Sequence, residues 1–321
     1  MLTRNQYNIW TIVAMGMLSL TACESSDPTG ETGYLSLGVS DRPMHDATKV
    51  CIAFDEVELK GQGAPFIVDP GGVQNINLLD FQGANAAPLL FNEEVPAGEY
   101  VWLRLGVNAV RGNMGGLGPE PDPDMCAGDN SYVVFDDGNA YGLYIPSGDE
   151  SGLKFINGFT VPANRTANLT AEFDLMLSIK ERNGLDPDIK MRPTVRLVNN
   201  FEVGTLTGEI VPGDLDEAFQ CDPLTASVYV FDDGVEPNAI DAGDVPGVDD
   251  PIATAMVEEH MNGDGSTTYH YTIGFLLAGH YEVAYTCDGQ DFLPIEGENL
   301  EPTYSKPAEI VAQEVETVDF P

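Results

Sequence analysis

Four residues near the start of the chain have the types and spacing that specify a chemical modification. Leu20-Thr21-Ala22-Cys23 come after a short cationic segment and a twelve-residue apolar stretch that begins at Ile9. Small residues before a cysteine are typical of the cleavage site of an export signal. We therefore predict that residues 1–22 are a lipoprotein signal peptide and that Cys23 is the lipid attachment site. The alternative is an ordinary secretory peptide cut near Ala22.

The apolar stretch is too short to stay in a bilayer as a span, because a spanning helix needs about 20 apolar residues. Attachment would instead come from acyl chains on Cys23, and two or more chains hold a protein where one is marginal. Residues 23–32 are small and polar, which is typical of a flexible tether. In the lipoprotein systems that this arrangement resembles, Asp after the cysteine signals inner-membrane retention, and here the residue is Glu24. We expect a cell-envelope protein in the outer membrane rather than the inner one.

A second group of side chains could bind a metal ion. Residues 232–250 contain Gly and Pro, no Lys or Arg, and six aspartates, which are Asp232, Asp233, Asp241, Asp244, Asp249 and Asp250. Ca²⁺ favours six to eight hard oxygen ligands on a flexible loop, so these aspartates are candidate Ca²⁺ ligands. The twelve-residue spacing of an EF-hand is missing, and a solvated acidic loop is the alternative. Asp122, Asp124 and Asp129 form a lesser cluster with the same two interpretations.

No motif in the sequence indicates catalysis. None of the four histidines lies in H-E-x-x-H, and no serine occupies G-x-S-x-G. Carboxylates are so abundant that their number says nothing about acid–base roles. We therefore expect no enzymatic activity, and no cofactor unless the aspartates bind Ca²⁺. The alternative from another functional class is a periplasmic hydrolase whose site is assembled from scattered carboxylates.

Four cysteines follow Cys23, namely Cys51, Cys126, Cys221 and Cys287. An oxidising compartment outside the cytosol would let them pair, and four cysteines allow three connectivities. We predict Cys51–Cys126 and Cys221–Cys287, because each pair then lies inside one domain. Buried free thiols are the alternative. A four-cysteine metal site is disfavoured because no C-x-x-C spacing exists.

The charge is strongly one-sided. The chain has 52 acidic and 14 basic residues, for a net charge of −38. After Val203 there are 25 acidic residues and a single basic one, Lys306. Binding to nucleic acid or to anionic lipid headgroups depends on clusters of Lys and Arg, so this surface excludes the first and repels the second. Two interpretations of the charge remain, namely an acidic surface solvated in salty water and a surface that binds cations.

Apolar residues alternate with polar ones through most of the chain. Leu35, Leu37 and Val39 show this period of two, and the clearest alternation runs from Leu169 to Ile179. Further short strands are expected after Phe201, divided by stretches rich in Gly, Pro and Asp. The pattern predicts an all-β chain of two antiparallel β-sandwich domains, immunoglobulin-like or transthyretin-like, at residues 33–202 and 203–321.

Several segments of the first half resemble a family of exported bacterial proteins. The segments include Leu-Ser-Leu-Gly-Val-Ser-Asp-Arg-Pro at 35–43, Lys-Val-Cys-Ile-Ala-Phe-Asp-Glu-Val-Glu-Leu at 49–59, Val-Pro-Ala-Gly-Glu-Tyr at 95–100 and Arg-Pro-Thr-Val-Arg at 192–196. Over about residues 33–199 the chain is similar to the family catalogued as domain of unknown function 4382. That family usually reads Asp-Ala-Pro where this chain has Asp41-Arg42-Pro43. The resemblance implies a lipoprotein β-sandwich with no assigned activity.

The second half is similar, more loosely, to transthyretin-like and carboxypeptidase-regulatory-like modules. The resemblance runs from Gly-Thr-Leu-Thr-Gly-Glu-Ile at 204–210 through Ala-Gly-His-Tyr-Glu-Val at 278–283. Such modules are mostly non-catalytic appendages. We therefore expect a binding or structural module, held to the membrane through Cys23, with a glycan or an envelope protein as partner. Ca²⁺-dependent contact with a polysaccharide or a protein is the alternative within binding.

Overall fold

The chain is built almost entirely of β-strands, which confirms the predicted all-β class. The computed structural model describes residues 30–42, 47–112, 118–119, 126–146, 152–179, 188–211, 222–235, 237, 251–287 and 302–321. Within these ranges, no helix has the length and apolar character needed to cross a bilayer.

In the described part of the chain, fifteen strands and one α-helical turn precede residue 200. They are β1 (Thr32–Arg42), β2 (Ala47–Lys60), β3 (Phe66–Val68), β4 (Gln74–Asn77), β5 (Ala87–Pro96), β6 (Gly98–Tyr100), β7 (Trp102–Val107), β8 (Gly118–Pro119), β9 (Tyr132–Phe135), β10 (Asn139–Tyr144), β11 (Leu153–Phe155), β12 (Phe159–Val161), β13 (Thr166–Asp174), α1 (Leu175–Ser178), β14 (Asp188–Lys190) and β15 (Thr194–Asn199). A 3₁₀ turn, Leu78–Asp80, lies between β4 and β5.

Eight strands follow. They are β16 (Val203–Ile210), β17 (Ser227–Asp232), β18 (Ala253–Met256), β19 (Glu258–Met261), β20 (Thr267–Leu277), β21 (Gly279–Thr286), β22 (Tyr304–Ile310) and β23 (Val315–Thr317). A second 3₁₀ turn, Pro223–Thr225, precedes β17.

The first sandwich packs two sheets face to face. Sheet A has the order β15-β13-β1-β5, and sheet B has the order β11-β7-β2-β9-β10-β14 with β3, β4 and β8 paired at its sides. Leu35, Leu37 and Val39 of β1 are buried in the core with Ile52 and Phe54 of β2. Successive side chains of a strand point to opposite faces, so the alternation seen in the sequence is what turns these residues inward.

The second sandwich repeats this arrangement with fewer strands. Sheet C has the order β19-β20-β16-β23, and sheet D has the order β18-β17-β21-β22. Leu206, Val228, Tyr271 and Tyr285 are among the side chains buried between the two sheets. The sheets of the two sandwiches separate between β15 and β16.

The sheets are mixed rather than purely antiparallel. Most neighbouring strands are antiparallel, but β1 pairs with β13, β10 with β14, and β16 with β23 in parallel. In sheet A, β1 lies between β5, to which it is antiparallel, and β13, to which it is parallel. The β-sandwich class is as predicted. The parallel pairs were not predicted, because alternation within one strand does not specify the direction of its neighbours.

The strand with the clearest alternation is shorter in the structure than in the sequence pattern. The alternation continues to Ile179, but β13 ends at Asp174 and the chain turns into α1. Two hydrogen bonds stabilise the turn. The backbone N–H of Leu175 donates to the Asp41 carboxylate at 3.2 Å, and the hydroxyl of Ser178 donates to the carbonyl oxygen of Asp174.

The predicted Cys51–Cys126 disulfide is confirmed, with the two Cα atoms 5.6 Å apart. Cys51 lies on the side of β2 that faces away from the main core, in a small cluster with Tyr132 and Val134. Cys287 is also disulfide-bonded. Its predicted partner, Cys221, lies outside the described residues, so that pairing stays a prediction.

Candidate functional site

The two sandwiches meet at a joint, formed by the loop at residues 81–86, strand β15, the start of β16 and the end of β20. Val198, Val203 and Phe275 are buried together there, with Ala86 packed against them. The backbones approach closely, because a Cβ atom on Gly274 would lie 2.5 Å from the carbonyl oxygen of Gly83. Residue 274 therefore has to be glycine for the loop to reach β20.

Beside this contact lies a group of five charged side chains, which we call the ion cluster. It consists of Asp41 and Arg42 at the end of β1, Glu172 and Asp174 at the end of β13, and Arg196 in β15. Strand register brings four of them together on one face, because Arg42 is opposite Asp174 and Glu172 is opposite Arg196, whereas Asp41 is opposite Phe173. Directly opposed side chains on neighbouring strands lie on the same face of a sheet.

The two arginines bind Glu172 from both sides. The Arg42 Nε lies 3.6 Å from Glu172 Oε1, and its Nη1 lies 3.1 Å from Asp174 Oδ2. The Arg196 Nε donates to Glu172 Oε2. The Glu172 side chain is only 4% exposed, so its charge depends on these two partners and not on water.

Arg196 also connects the two sandwiches. Its Nη2 donates a hydrogen bond to the backbone carbonyl oxygen of Phe275, in β20, at 3.0 Å. Two further contacts lie close by, because the N–H of Ala278 donates to the carbonyl of Glu202 at 3.2 Å and the side chain of Gln313 donates to the carbonyl of Asn200. A guanidinium group has several donors in a fixed plane, so one arginine can hold a carboxylate and a carbonyl at a set angle.

Asp41 is the least accessible acid of the cluster. Burial raises the pKa of its carboxyl group well above the ordinary value, and the nearby charge of Asp174 raises it further, with a smaller effect from Glu172. The backbone N–H groups of Leu175 and Arg42 act in the opposite direction. Burial disfavours the charged form of any carboxyl group that lacks a cation of its own.

A cavity of about 410 Å³ opens between the sandwiches at the ion cluster. Its lining includes Arg42, Asp174 and Arg196 from the first sandwich and Asp232, Ile252 and Tyr281 from the second. The hydroxyl of Tyr281 donates to the carbonyl of Leu277 at 2.8 Å. Of the charged side chains that line the cavity, Arg42, Glu172, Asp174 and Arg196 contact one another, an arrangement that fixes orientation.

The structure describes only two of the six predicted Ca²⁺ ligands. Asp232 is the last residue of β17, and its carbonyl accepts a turn hydrogen bond from the N–H of Val235; Asp233 follows it in that turn. Asp241, Asp244, Asp249 and Asp250 lie outside the described residues. Among the described residues, no three His, Cys, Asp or Glu side chains are grouped as a metal site would need. The Ca²⁺ site stays a prediction.

The lipid attachment site and the lesser acidic cluster have the same status. Cys23, Asp122 and Asp124 lie outside the described residues, whereas Asp129 is exposed in the loop before β9.

The two described histidines that come near each other are His260 and His270, with ring centroids 6.3 Å apart on β19 and β20.

The ion cluster was not predicted from the sequence. Glu172 and Asp174 occupy the polar positions of the alternating run in β13, where a solvent-facing side chain is the usual expectation. One signal was present, because Arg42 stands where the resemblance to family 4382 expects alanine. This difference does not indicate which residues Arg42 contacts, because Glu172 and Asp174 are 130 or more positions away in the chain.

The contacts of Arg196 predict a measurable cost for its removal. Arg196→Met should lower the free energy of unfolding by about 2–3 kcal/mol, because Glu172 would keep only the longer contact to Arg42 in a buried position. Urea denaturation followed by intrinsic fluorescence measures this change. Limited proteolysis of the variant should cut earlier near residues 200–202, because the link to Phe275 is lost.

The matched control is Arg104→Met. Arg104 also contacts two carboxylates, Glu56 at 3.0 Å and Glu58 at 2.8 Å, but the three side chains are 18% to 31% exposed. Ion pairs with this access to water contribute at most about 1 kcal/mol. Equal losses for Arg196→Met and Arg104→Met would contradict a special role of the joint.

The burial of Asp41 predicts a dependence of stability on pH. Because its pKa is higher in the folded than in the unfolded state, the folded state binds more protons, and this contribution to stability falls as pH rises from about 4 through the folded pKa. Asp41→Asn keeps an oxygen acceptor for the N–H of Leu175 but does not titrate. The free energy of unfolding of the wild type should therefore decline more steeply above about pH 4 than that of Asp41→Asn.

Asp69→Asn is a control in which the expected change of stability with pH has the opposite sign. The N–H groups of Gly72 and Gly71 lower the pKa of the exposed Asp69 carboxyl group, so its removal should take away stability that is present above about pH 4. Parallel stability curves for the wild type and Asp41→Asn would show that Asp41 titrates normally.

Comparison with known proteins gives a family and several distant structures. No curated protein matches the chain. A leucine-rich repeat protein from Bacteroides thetaiotaomicron is 12% identical with a TM-score of 0.22, and the match covers 91% of this chain and 26% of that one. This chain therefore spans about a quarter of that protein.

Two other solved structures are similar over most of their length. The minor pilin of Streptococcus agalactiae is 11% identical, with 89% of this chain and 94% of that one covered and a TM-score of 0.18. A proposed cell adhesion protein from Bacteroides fragilis is 10% identical, with 90% and 92% covered and a TM-score of 0.20. These TM-scores are too low to carry an argument about this chain.

The family match is the firmer result, and it covers the part of the chain that holds the whole ion cluster except Arg196. The family model described as domain of unknown function matches residues 32–193, which is half of the sequence. This chain belongs to that family, DUF4382.

Proposed function

We propose that the protein is a lipid-anchored module of the cell envelope, in which two β-sandwiches act as a binding or structural unit without catalysis. Attachment is through acyl chains on Cys23, and the outer membrane is the proposed location. A glycan or an envelope protein is the proposed class of partner, because the net charge of −38 disfavours nucleic acid and anionic lipid.

The proposal rests on the contacts that the charged side chain of Arg196 makes at the joint. Arg196 contacts Glu172 in its own sandwich and the carbonyl of Phe275 in the other. Relative motion of neighbouring domains is the default expectation where the interface is small. Directional bonds from the Arg196 guanidinium group to these two acceptors oppose such motion, and a fixed orientation suits a module that presents a surface at a distance from the membrane.

The same geometry weighs against the hydrolase alternative at this place. A hydrolase of that kind needs two carboxyl groups in a cleft, with environments that make one an acid and the other a base. Glu172 and Asp174 are instead neutralised by Arg42 and Arg196, and Asp41 is buried away from the cavity. Their arrangement supports a role in holding the structure.

The lipid anchor is tested by Cys23→Ala. Loss of the thiol removes the attachment point, so the variant should accumulate as an unprocessed precursor or as a soluble form, while the wild type fractionates with membranes at the mature size. Ser26→Ala, three residues along the tether, is the control and should behave as the wild type. Recovery of Cys23→Ala in the membrane fraction at the mature size would disprove lipid anchoring.

A further inference from the structure

The first sandwich is open along one side. A groove of about 900 Å³ lies between β12 and β15, and its lining includes Phe159, Leu169 and Leu197. Phe201 and Leu277 lie at its rim and are 59% and 47% exposed. Single exposed apolar side chains are common on proteins, but two at the mouth of one apolar groove indicate a surface that binds something. Ligand pockets of proteins have volumes of about 300–1,000 Å³ and mostly apolar walls.

Strand β1 begins at the rim of this groove. The N–H of Asn164 donates to the carbonyl of Thr32 at 2.8 Å. A Cβ atom on Gly33 would collide with the carbonyl oxygen of Pro162. Pro162 is itself part of the groove lining, as is Arg165. The first residues of β1 therefore pack directly on the turn that borders the groove.

The tether is too short to take Cys23 far from this place. Six residues lie between Cys23 and Gly30, the first described residue. An extended chain spans at most about 3.6 Å per residue, so Cys23 can lie at most about 25 Å from Gly30 and about 32 Å from Thr32. Any acyl chain on Cys23 therefore starts within about 32 Å of the residue that contacts the turn bordering the groove.

We propose that the groove holds one of the acyl chains attached to Cys23 of the same molecule. The inference rests on the proposed lipid anchor. Burial of each methylene group away from water is favourable, and the apolar walls formed by Phe159, Leu169 and Leu197 supply that environment. In a bilayer the acyl chain already has apolar surroundings, so the groove is occupied when the lipidated protein is in water.

A photoreactive acyl chain tests the proposal on the full-length protein. Cells are fed a fatty acid that carries a diazirine and an alkyne, and the lipidated protein is purified and freed of detergent. After irradiation, mass spectrometry locates the cross-linked peptides. Mixing with a ¹⁵N-labelled copy before irradiation separates cross-links within a molecule from those between molecules. The expected result is cross-linking within one molecule, to residues 157–169 and 197–202.

Rim variants make the test specific. Leu277→Asp and Phe201→Asp place a carboxylate where the acyl chain would enter, so each should lower the yield of these cross-links about tenfold, because an acyl chain cannot solvate a charge. Both side chains are exposed, so the fold should tolerate the changes. Met261→Asp is the control, because Met261 is 73% exposed on β19 in the second sandwich, and it should leave the yield unchanged.

The outcomes separate this inference from the proposed function. If the fatty acid is absent from Cys23, both are wrong. If Cys23 is labelled but the cross-links join different molecules, fall outside the groove, or persist in Leu277→Asp and Phe201→Asp, the lipid anchor stands and the inference is overturned.

Discussion

Glu172 sits where water hardly reaches it, and two arginines from neighbouring strands balance its charge, Arg196 through a hydrogen bond and Arg42 through an ion pair at 3.6 Å. Removing a carboxylate from water is costly, and only close, directional partners compensate for that cost. The consequence extends beyond the side chain, because Arg196 can bind both Glu172 and the carbonyl of Phe275 only in one orientation of the two sandwiches. The joint, the 410 Å³ cavity beside it and the course of the chain from β15 to β16 all follow from that constraint.

The fold class could be predicted from the sequence because it depends on local pattern, since alternation in β1 and β13 identifies strands and their buried faces. One disulfide could be predicted because four cysteines allow only three connectivities and one of them keeps each pair inside one domain. The ion cluster could not be predicted, because it depends on register between strands that are far apart in the chain. Arg42 meets Asp174 across 132 residues, and no periodicity within either strand indicates that pairing. The end of β13 was missed for the same reason, since its turn is stabilised by Asp41, a residue of β1.

Basic residues are scarce in this chain, with 14 Lys and Arg against 52 Asp and Glu. Two of them are placed in the ion cluster, where each binds carboxylates that are themselves buried. The second sandwich, with Lys306 as its single basic residue after Val203, contributes a backbone carbonyl to the joint instead of a charged side chain. The second sandwich can therefore keep an acidic surface and still form a stable contact with the first. A carbonyl oxygen accepts a hydrogen bond from arginine without adding another negative charge.

The central claim is that the ion cluster holds the two sandwiches in one orientation. The most direct test is the distribution of distances between two spin labels, introduced as genetically encoded amino acids so that the cysteines stay intact. Ile67 in the first sandwich and Met261 in the second are exposed positions for the labels. Pulsed electron spin resonance should give a single narrow distance distribution. A broad distribution, of the kind that two freely linked domains produce, would contradict the account.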